Sequence, residues 1–345
     1  MNIESSYIFV DTFKNSFNPV KLTNQEINDI LLYLEETDQN AAVLCEEEDV
    51  ELFKVSPRVE FLPYNLLLSE KIQIVRGANE FIGVYGAFSL LSKNFNLPAH
   101  VKCSKIDIDR YNKEEEHGLS LTMDIFKCDP IITSGSPTEF NDLYMKSSEL
   151  DIVFQKDMRK KIKYEADYWQ NYINLSGSPI AAALNEFRVS FVEKHLPAHG
   201  SILDIGIGSG EFINSSKRKS YGFDVNPYGV KWLKENKLYV NPYSKNQQSD
   251  IIAYTFWDAI EHFTNPSHLL TKIKKGSYCF FSLPIFEDFS NLTASKHYKP
   301  NEHLYYWTEQ SFKDYLTRLG FSILEVSDGE STAGRLSIKS FAAQK

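Results

Sequence analysis

Short apolar runs alternate with amphipathic stretches along the chain, and the alternation falls into two halves. In the first half, residues 7–10, 41–45, 59–62 and 81–84 read as buried strands. Thr23 and Glu26 form a capping box ahead of Ile27, Ile30, Leu31 and Leu34, whose spacing predicts a helix. Residues 66–75 and 86–95 read as further helices, and Pro98 precedes a strand near His100–Cys103. Residues 1–128 therefore predict a small α/β unit. The turn formers CDPIITSGS at 128–136 mark a boundary, and charged sequence from Glu139 to about Tyr172 reads as helical. That makes 129–160 a linker and helical connector. In the remaining 161–345, strands are predicted at 202–204, 221–224, 251–256 and 278–283. A helix follows in WTEQSFKDYLTRLGF, and closing antiparallel strands in 331–341. The whole is α/β, without repeats or low-complexity tracts.

The most informative stretch is ILDIGIGSGEFI at 202–213. An apolar strand ends on Asp204, Gly206, Gly208 and Gly210 follow at alternate positions, and a helical pattern begins at Glu211. Glycines there let the backbone turn tightly and approach a ligand with no Cβ in the way. The spacing is GxGxG, with acids at the strand end and the helix start. Carboxylates repel a pyrophosphate, so a dinucleotide is disfavoured. S-adenosylmethionine (SAM) carries an ammonium and a sulfonium and no phosphate, which an acidic strand end suits.

This stretch resembles motif I of the class I SAM-dependent methyltransferases, and the resemblance extends from about residue 160 to the C-terminus. It implies a Rossmann-like seven-stranded sheet preceded by a smaller α/β domain, with SAM as cofactor. Asp224 ends the strand YGFD and would accept the ribose hydroxyls. WDAIEHFTNP supplies Asp258, Glu261, His262 and Pro266 in the family's order, and Pro284 matches another family position. Trp257 would stack on adenine; Asn241, Tyr243 and Asp250 are further candidates for contacts to that base. Arg188, in a segment similar to ubiquinone-type methyltransferases, would grip the SAM carboxylate. Tyr164, Tyr168 and Tyr172 share a helix face that is either core packing or a wall facing the sulfonium. His262, His297 and His303 are the candidate general bases. Lys296, Lys299 and Glu302 lie beside the last two, where an anionic acceptor could be held.

Residues 63–101 resemble the nucleotide-sugar half of GT-B glycosyltransferases, with Gly83, Gly86 and Ser89 facing a donor diphosphate. This implies a remnant or accessory domain that packs, holds an acceptor or forms a homodimer. It tilts the acceptor toward a sugar, glycan or nucleotide-linked intermediate. A net charge of −9 argues against a phosphate-backbone binder. A base-amino methyltransferase would also carry an (N/D)PP(Y/F) loop where this chain has WDAI. Nucleic-acid methylation and a non-catalytic SAM-binding scaffold are the alternatives. Cys45, Cys103, Cys128 and Cys279 form no CxxC pair, so no metal site is expected. No apolar run approaches the roughly 18 residues of a membrane span and no signal pattern opens the sequence, so a cytoplasmic protein without membrane insertion is expected.

Overall fold

The structure, a computed structural model, describes residues 7–12, 20–63, 66–95, 97–102, 119–120, 128–160, 162, 166–244 and 250–345. Cys103 and Tyr164 lie outside the described residues. Two compact units form, Met1–Phe126 with Tyr243–Asn246, and Lys127–Pro242 with Gln247–Lys345.

The first unit holds strands β1 (Tyr7–Asp11), β2 (Asn40–Leu44), β3 (Val59–Phe61), β4 (Glu80–Val84), β5 (Ala99–Lys102) and β6 (Leu119–Ser120). Its helices are α1 (Asn24–Glu36), α2 (Glu47–Phe53), α3 (Leu68–Gly77) and α4 (Ala87–Asn94). The strands pair in parallel in the order β3-β2-β1-β4-β5-β6. Every residue of β1 and β4 is buried, which is why these segments read as near-continuous apolar runs. The capping box at α1 forms: the Thr23 hydroxyl accepts from the Glu26 amide at 3.2 Å, and the Glu26 carboxylate accepts from the Thr23 amide at 2.7 Å.

The second unit opens with β7 (Thr138–Glu139), β8 (Tyr144–Lys146) and β9 (Ile152–Gln155), then α5 (Ala166–Leu175) and α6 (Pro179–Glu193). Next come β10 (Ser201–Ile205), α7 (Glu211–Ser215), β11 (Ser220–Phe223), α8 (Pro227–Glu235), β12 (Ile251–Trp257) and α9 (Pro266–Leu270). The unit closes with β13 (Tyr278–Phe286), β14 (Tyr305–Thr308), α10 (Glu309–Arg318), β15 (Ser322–Ser327), α11 (Gly329–Thr332) and β16 (Ile338–Gln344). Strands β11, β10, β12 and β13 are parallel neighbours, β16 runs antiparallel to β13, and β15 pairs antiparallel with β16. The segment after α8 contributes one parallel bridge, Gly222 to Tyr239. Val189, Phe191 and Val192 of α6 pack with Ile202, Ala253, Phe280 and Ala342 into the core on one sheet face.

Among the described residues this sheet has ten strands, where seven are expected from the sequence. Strand β13 is the reason. Beyond Pro284 its last residues, Ile285 and Phe286, pair in parallel with Trp307 and Thr308 of β14. From β14 the sheet continues antiparallel through β9 and β8 to β7. The helical connector expected at 129–160 is therefore corrected: its residues are turns and these three strands, and the first helix among the described residues of this unit is Ala166–Leu175. Tyr144 and Val153 bury against Leu292 and Tyr306, an apolar anchor too short to show as a strand pattern among the charges around it. The closing strand likewise begins at Ile338. Residues 331–337 instead finish α11 and form the loop that carries Arg335.

Candidate active site

The glycine loop leaves the carboxyl end of β10, the edge where open α/β sheets bind ligands. Gly206, Gly208 and Gly210 adopt φ of +78°, +53° and +78°, left-handed values open chiefly to glycine. A Cβ on Gly208 would stand 3.2 Å from the Tyr172 ring, so helix α5 lays an aromatic ring directly on the loop. The Tyr168 and Tyr172 hydroxyls meet at 3.2 Å. Glu211 faces α5 and α6: it accepts from the Gly177 amide at 2.6 Å and from Asn185 Nδ2 at 3.1 Å.

Asp204 is 1% exposed and accepts a 2.6 Å hydrogen bond from the Thr255 hydroxyl on β12. Burial raises its carboxyl to about 7, with the nearby Asp224 charge adding to the rise and Thr255 and Arg188 opposing it. Asp224 follows β11 and accepts from the Asn226 amide at 2.8 Å. Burial raises this carboxyl to about 6, against stabilising amides of Asn226, Ile207, Val225 and Gly208. Two of those amides belong to the glycine loop. A buried acidic pair thus flanks the loop with only partial compensation, which favours a cationic ligand.

Asp258 follows β12 at φ +51°, a conformation Asp tolerates better than most residues. Two arginines hold it there. Arg188 Nη2 donates to Oδ2 at 2.9 Å and Arg335 Nη2 to Oδ1 at 3.0 Å. Burial would raise this carboxyl, but the Arg335 and Arg188 guanidiniums lower it to about 2. Both arginines also bind the buried Glu330, Arg188 through Nε at 2.8 Å. Arg188 therefore sits in a four-residue ion network, its charge shared between Glu330 and Asp258. Its guanidinium stacks 4.9 Å over the Trp257 ring, whose other contacts include the edge of Phe212 at 5.3 Å. Trp257 is only 6% exposed, so stacking on adenine would require these groups to move.

The expected histidines separate. His262 and His303 meet edge to face, with ring centroids 4.8 Å apart, although they come from the turn after β12 and the residue pair before β14. The Leu304 amide ties the two segments by donating to the Glu261 carbonyl at 2.8 Å. His262 Nδ1 lies 2.8 Å from the Glu302 carbonyl, which can only accept, so Nδ1 carries the proton and Nε2 the lone pair. Burial, then the Asp258 charge, pushes Glu261 well above the carboxylate range. His303 is driven down to about 2 by burial, with His262 and Lys299 adding to the effect. His297 instead turns to the Leu336 carbonyl at 2.9 Å, and burial lowers it too. Lys299 pairs with Glu302 at 3.1 Å.

The adenine candidates also separate. Asp250 accepts from the Ser201 hydroxyl at 2.6 Å, at the amino end of β10 and so opposite the glycine loop. Tyr243 groups with the first unit. Asn241, just past the Gly222–Tyr239 bridge, remains at the carboxyl side. Thr255, Glu330 and Arg335 were not expected. Glu330 and Arg335 come from a polar loop with no motif, and Thr255 is one hydroxyl in an apolar strand.

Residues 179–326 match a family model described as a methyltransferase domain. The enzyme is a methyltransferase and its cofactor is SAM; the matched residues include the glycine loop, Asp224 and the Asp258–His262 turn. No curated protein matches the chain. Among solved structures, it is similar to a SAM-dependent methyltransferase of Aquifex aeolicus (TM-score 0.36, 18% identity, 51% of this chain and 97% of that one). A Thermotoga maritima SAM-dependent methyltransferase, described as a possible histamine N-methyltransferase, gives 0.38 and 15% over 52% and 97%. Phosphoethanolamine N-methyltransferase 2 of Haemonchus contortus, in complex with SAM, gives 0.38 and 11% over 94% and 99%. These likenesses are remote, and the assignment rests on the family match. Among the described residues, no helix is long and apolar enough to cross a membrane.

Proposed function

We propose that the enzyme transfers the SAM methyl group to a small polar acceptor, most directly a hydroxyl of a sugar, glycan or nucleotide-linked intermediate. The observation that carries the cofactor half is the buried Asp204–Asp224 pair flanking three left-handed glycines. Asp224 would take the ribose hydroxyls, exchanging them for the loop amides that now satisfy it. Asp204 would face the positive end of the cofactor, and Tyr172 would close the loop from above.

Methyl transfer is an in-line displacement in which the neutral thioether leaves unaided, so the protein must align the acceptor and dispose of its proton. Alignment can supply roughly 7–11 kcal/mol of such a barrier, and a placed base roughly 10²–10⁴ in rate. Of the three histidines, His262 is the best placed base, because the Glu302 carbonyl holds its Nδ1–H and so leaves the basic lone pair on Nε2. His303, depressed to about 2, is the poorest. The first unit would serve as an accessory domain holding the acceptor or a second copy of the chain, in the cytoplasm. A labelled-SAM transfer screen over sugar nucleotides, lipids, peptides and DNA tests the reading. Label in the sugar pool is the expected result, and label confined to DNA or peptides would reject the acceptor class.

A further inference from the structure

We propose that Glu330 is a positioning residue for the cofactor: it holds the Arg188 guanidinium by one edge, so that Arg188 Nη1 and the Trp257 indole N–H together receive a carboxylate. The proposal rests on the methyltransferase reading and assigns that site its contacts to the amino-acid end of SAM. The Arg188 fork is used unevenly. Nε donates to Glu330 Oε1 at 2.8 Å, and Nη2 donates to Glu330 Oε2 at 3.2 Å, to Asp258 Oδ2 at 2.9 Å and to the Ser282 hydroxyl at 3.3 Å. Nη1 makes no hydrogen bond among the described residues. The ring against which Arg188 stacks has the same gap: Trp257 is 6% exposed, and its Nε1 has no hydrogen-bond partner among the described residues. Buried polar atoms are rarely left unpaired. Two donors are therefore unfilled on groups stacked 4.9 Å apart, at the carboxyl end of β12.

The charges select what fills them. Arg188 and Arg335 are balanced by Asp258 and Glu330, so the network offers directed donors and no net positive field. A simple anion would also meet the buried Asp204 carboxylate, which lies within reach of the Arg188 charge. A zwitterion meets no such penalty, with its carboxylate on the two donors and its ammonium toward Asp204. The amino-acid end of SAM is such a group, whereas an acidic acceptor is not. Glu330 sets the direction. It is fully buried, and both of its oxygens are taken by the two arginines. It comes from α11, which lies directly on the helix that carries Arg188, because a Cβ on the preceding Gly329 would collide with the Phe187 ring of α6. A buried ion pair adds little stability over apolar packing of the same volume, so orientation is what this one supplies. Arg335 binds both acids as well, which spares Nη1.

Full-length protein is titrated calorimetrically with S-adenosylhomocysteine and with 5′-methylthioadenosine, which keeps the nucleoside and the thioether but lacks the amino acid. Glu330→Gln is expected to weaken S-adenosylhomocysteine roughly tenfold or more and to leave methylthioadenosine within about twofold. Trp257→Phe keeps the ring and loses only the N–H, and is expected to weaken S-adenosylhomocysteine alone, by roughly three- to tenfold. Circular dichroism confirms that the variants are folded, and Trp257→Phe decides by itself should Glu330→Gln fail to fold. Equal weakening of both ligands, the mark of a merely structural role, overturns the proposal, as does unchanged S-adenosylhomocysteine affinity in either folded variant. Wild-type protein that binds the two ligands equally overturns the carboxylate site and leaves the cofactor reading standing. Wild-type protein that binds neither rejects both.

Discussion

At the scale of single residues, the most telling feature is that two carboxylates are buried where burial disfavours their charge. Asp204 and Asp224 are raised to about 7 and about 6, so the folded protein binds protons that the unfolded chain, with ordinary carboxyls near 4, has released. For an acid with a raised folded value, stability is present at low pH and falls as pH rises between the two values. These two residues therefore destabilise the cofactor-free enzyme progressively from about pH 4 to pH 7. The cost is at most about 1.4 kcal/mol for each pH unit that separates a carboxyl's folded and unfolded values. Asp204→Asn is expected to melt higher than wild type at pH 8, where the buried charge is removed, and to differ little near pH 4. Thermal melts across pH test this, and a variant melting lower than wild type at pH 8 would reject it. If SAM binds at this pair as proposed, the same ionisation would serve the cationic cofactor, and affinity for SAM should increase from pH 5.5 to 8 with proton release, seen calorimetrically in buffers of different ionisation enthalpy. Both acids were legible in the sequence because each ends its own apolar run. Thr255, the partner of Asp204, was not, since a hydroxyl inside a strand carries no local pattern.

At the scale of elements, the loop between β10 and α7 works because α5 covers it. Gly208→Ala must hold φ +53° with a Cβ against the Tyr172 ring, a combination expected to destabilise by about 1 kcal/mol or more and to weaken cofactor binding further. Unchanged affinity would mean that the loop does not approach the ligand. The loop carrying Arg335 has an equivalent role toward Asp258. Arg335→Ala leaves Asp258 and Glu330 sharing only Arg188, and removing one member of a buried ion cluster typically costs about 3–5 kcal/mol. Because the Arg335 side chain is 28% exposed, the lower end of that range is expected in denaturant unfolding. A loss within error of zero would show the network to be solvent-compensated. The parallel strands were visible as apolar runs with turn residues behind them. The β7–β9 extension was not: its strands are two to four residues long, set among charges, and acquire meaning only from β14, more than a hundred residues later.

At the scale of the whole molecule, the sequence showed two α/β regions but not what completes the second. Among the described residues, the segment between α8 and β12 contributes a single bridge at Tyr239, while β13 runs past Pro284 to recruit β14 and, through it, the strands that open the second unit. The histidines illustrate the same limit. His262 and His303 come together through that recruitment and His297 does not, a distinction invisible in the spacing of three similar residues. The acidic glycine-loop site is proposed to bind SAM. Titration calorimetry with S-adenosylhomocysteine tests it most directly. One equivalent should bind wild-type protein, with affinity reduced roughly tenfold or more in folded Asp224→Ala, which removes the proposed ribose contact. No heat and no thermal shift at millimolar ligand, or equal affinity in wild type and Asp224→Ala, would show that this loop does not hold the cofactor.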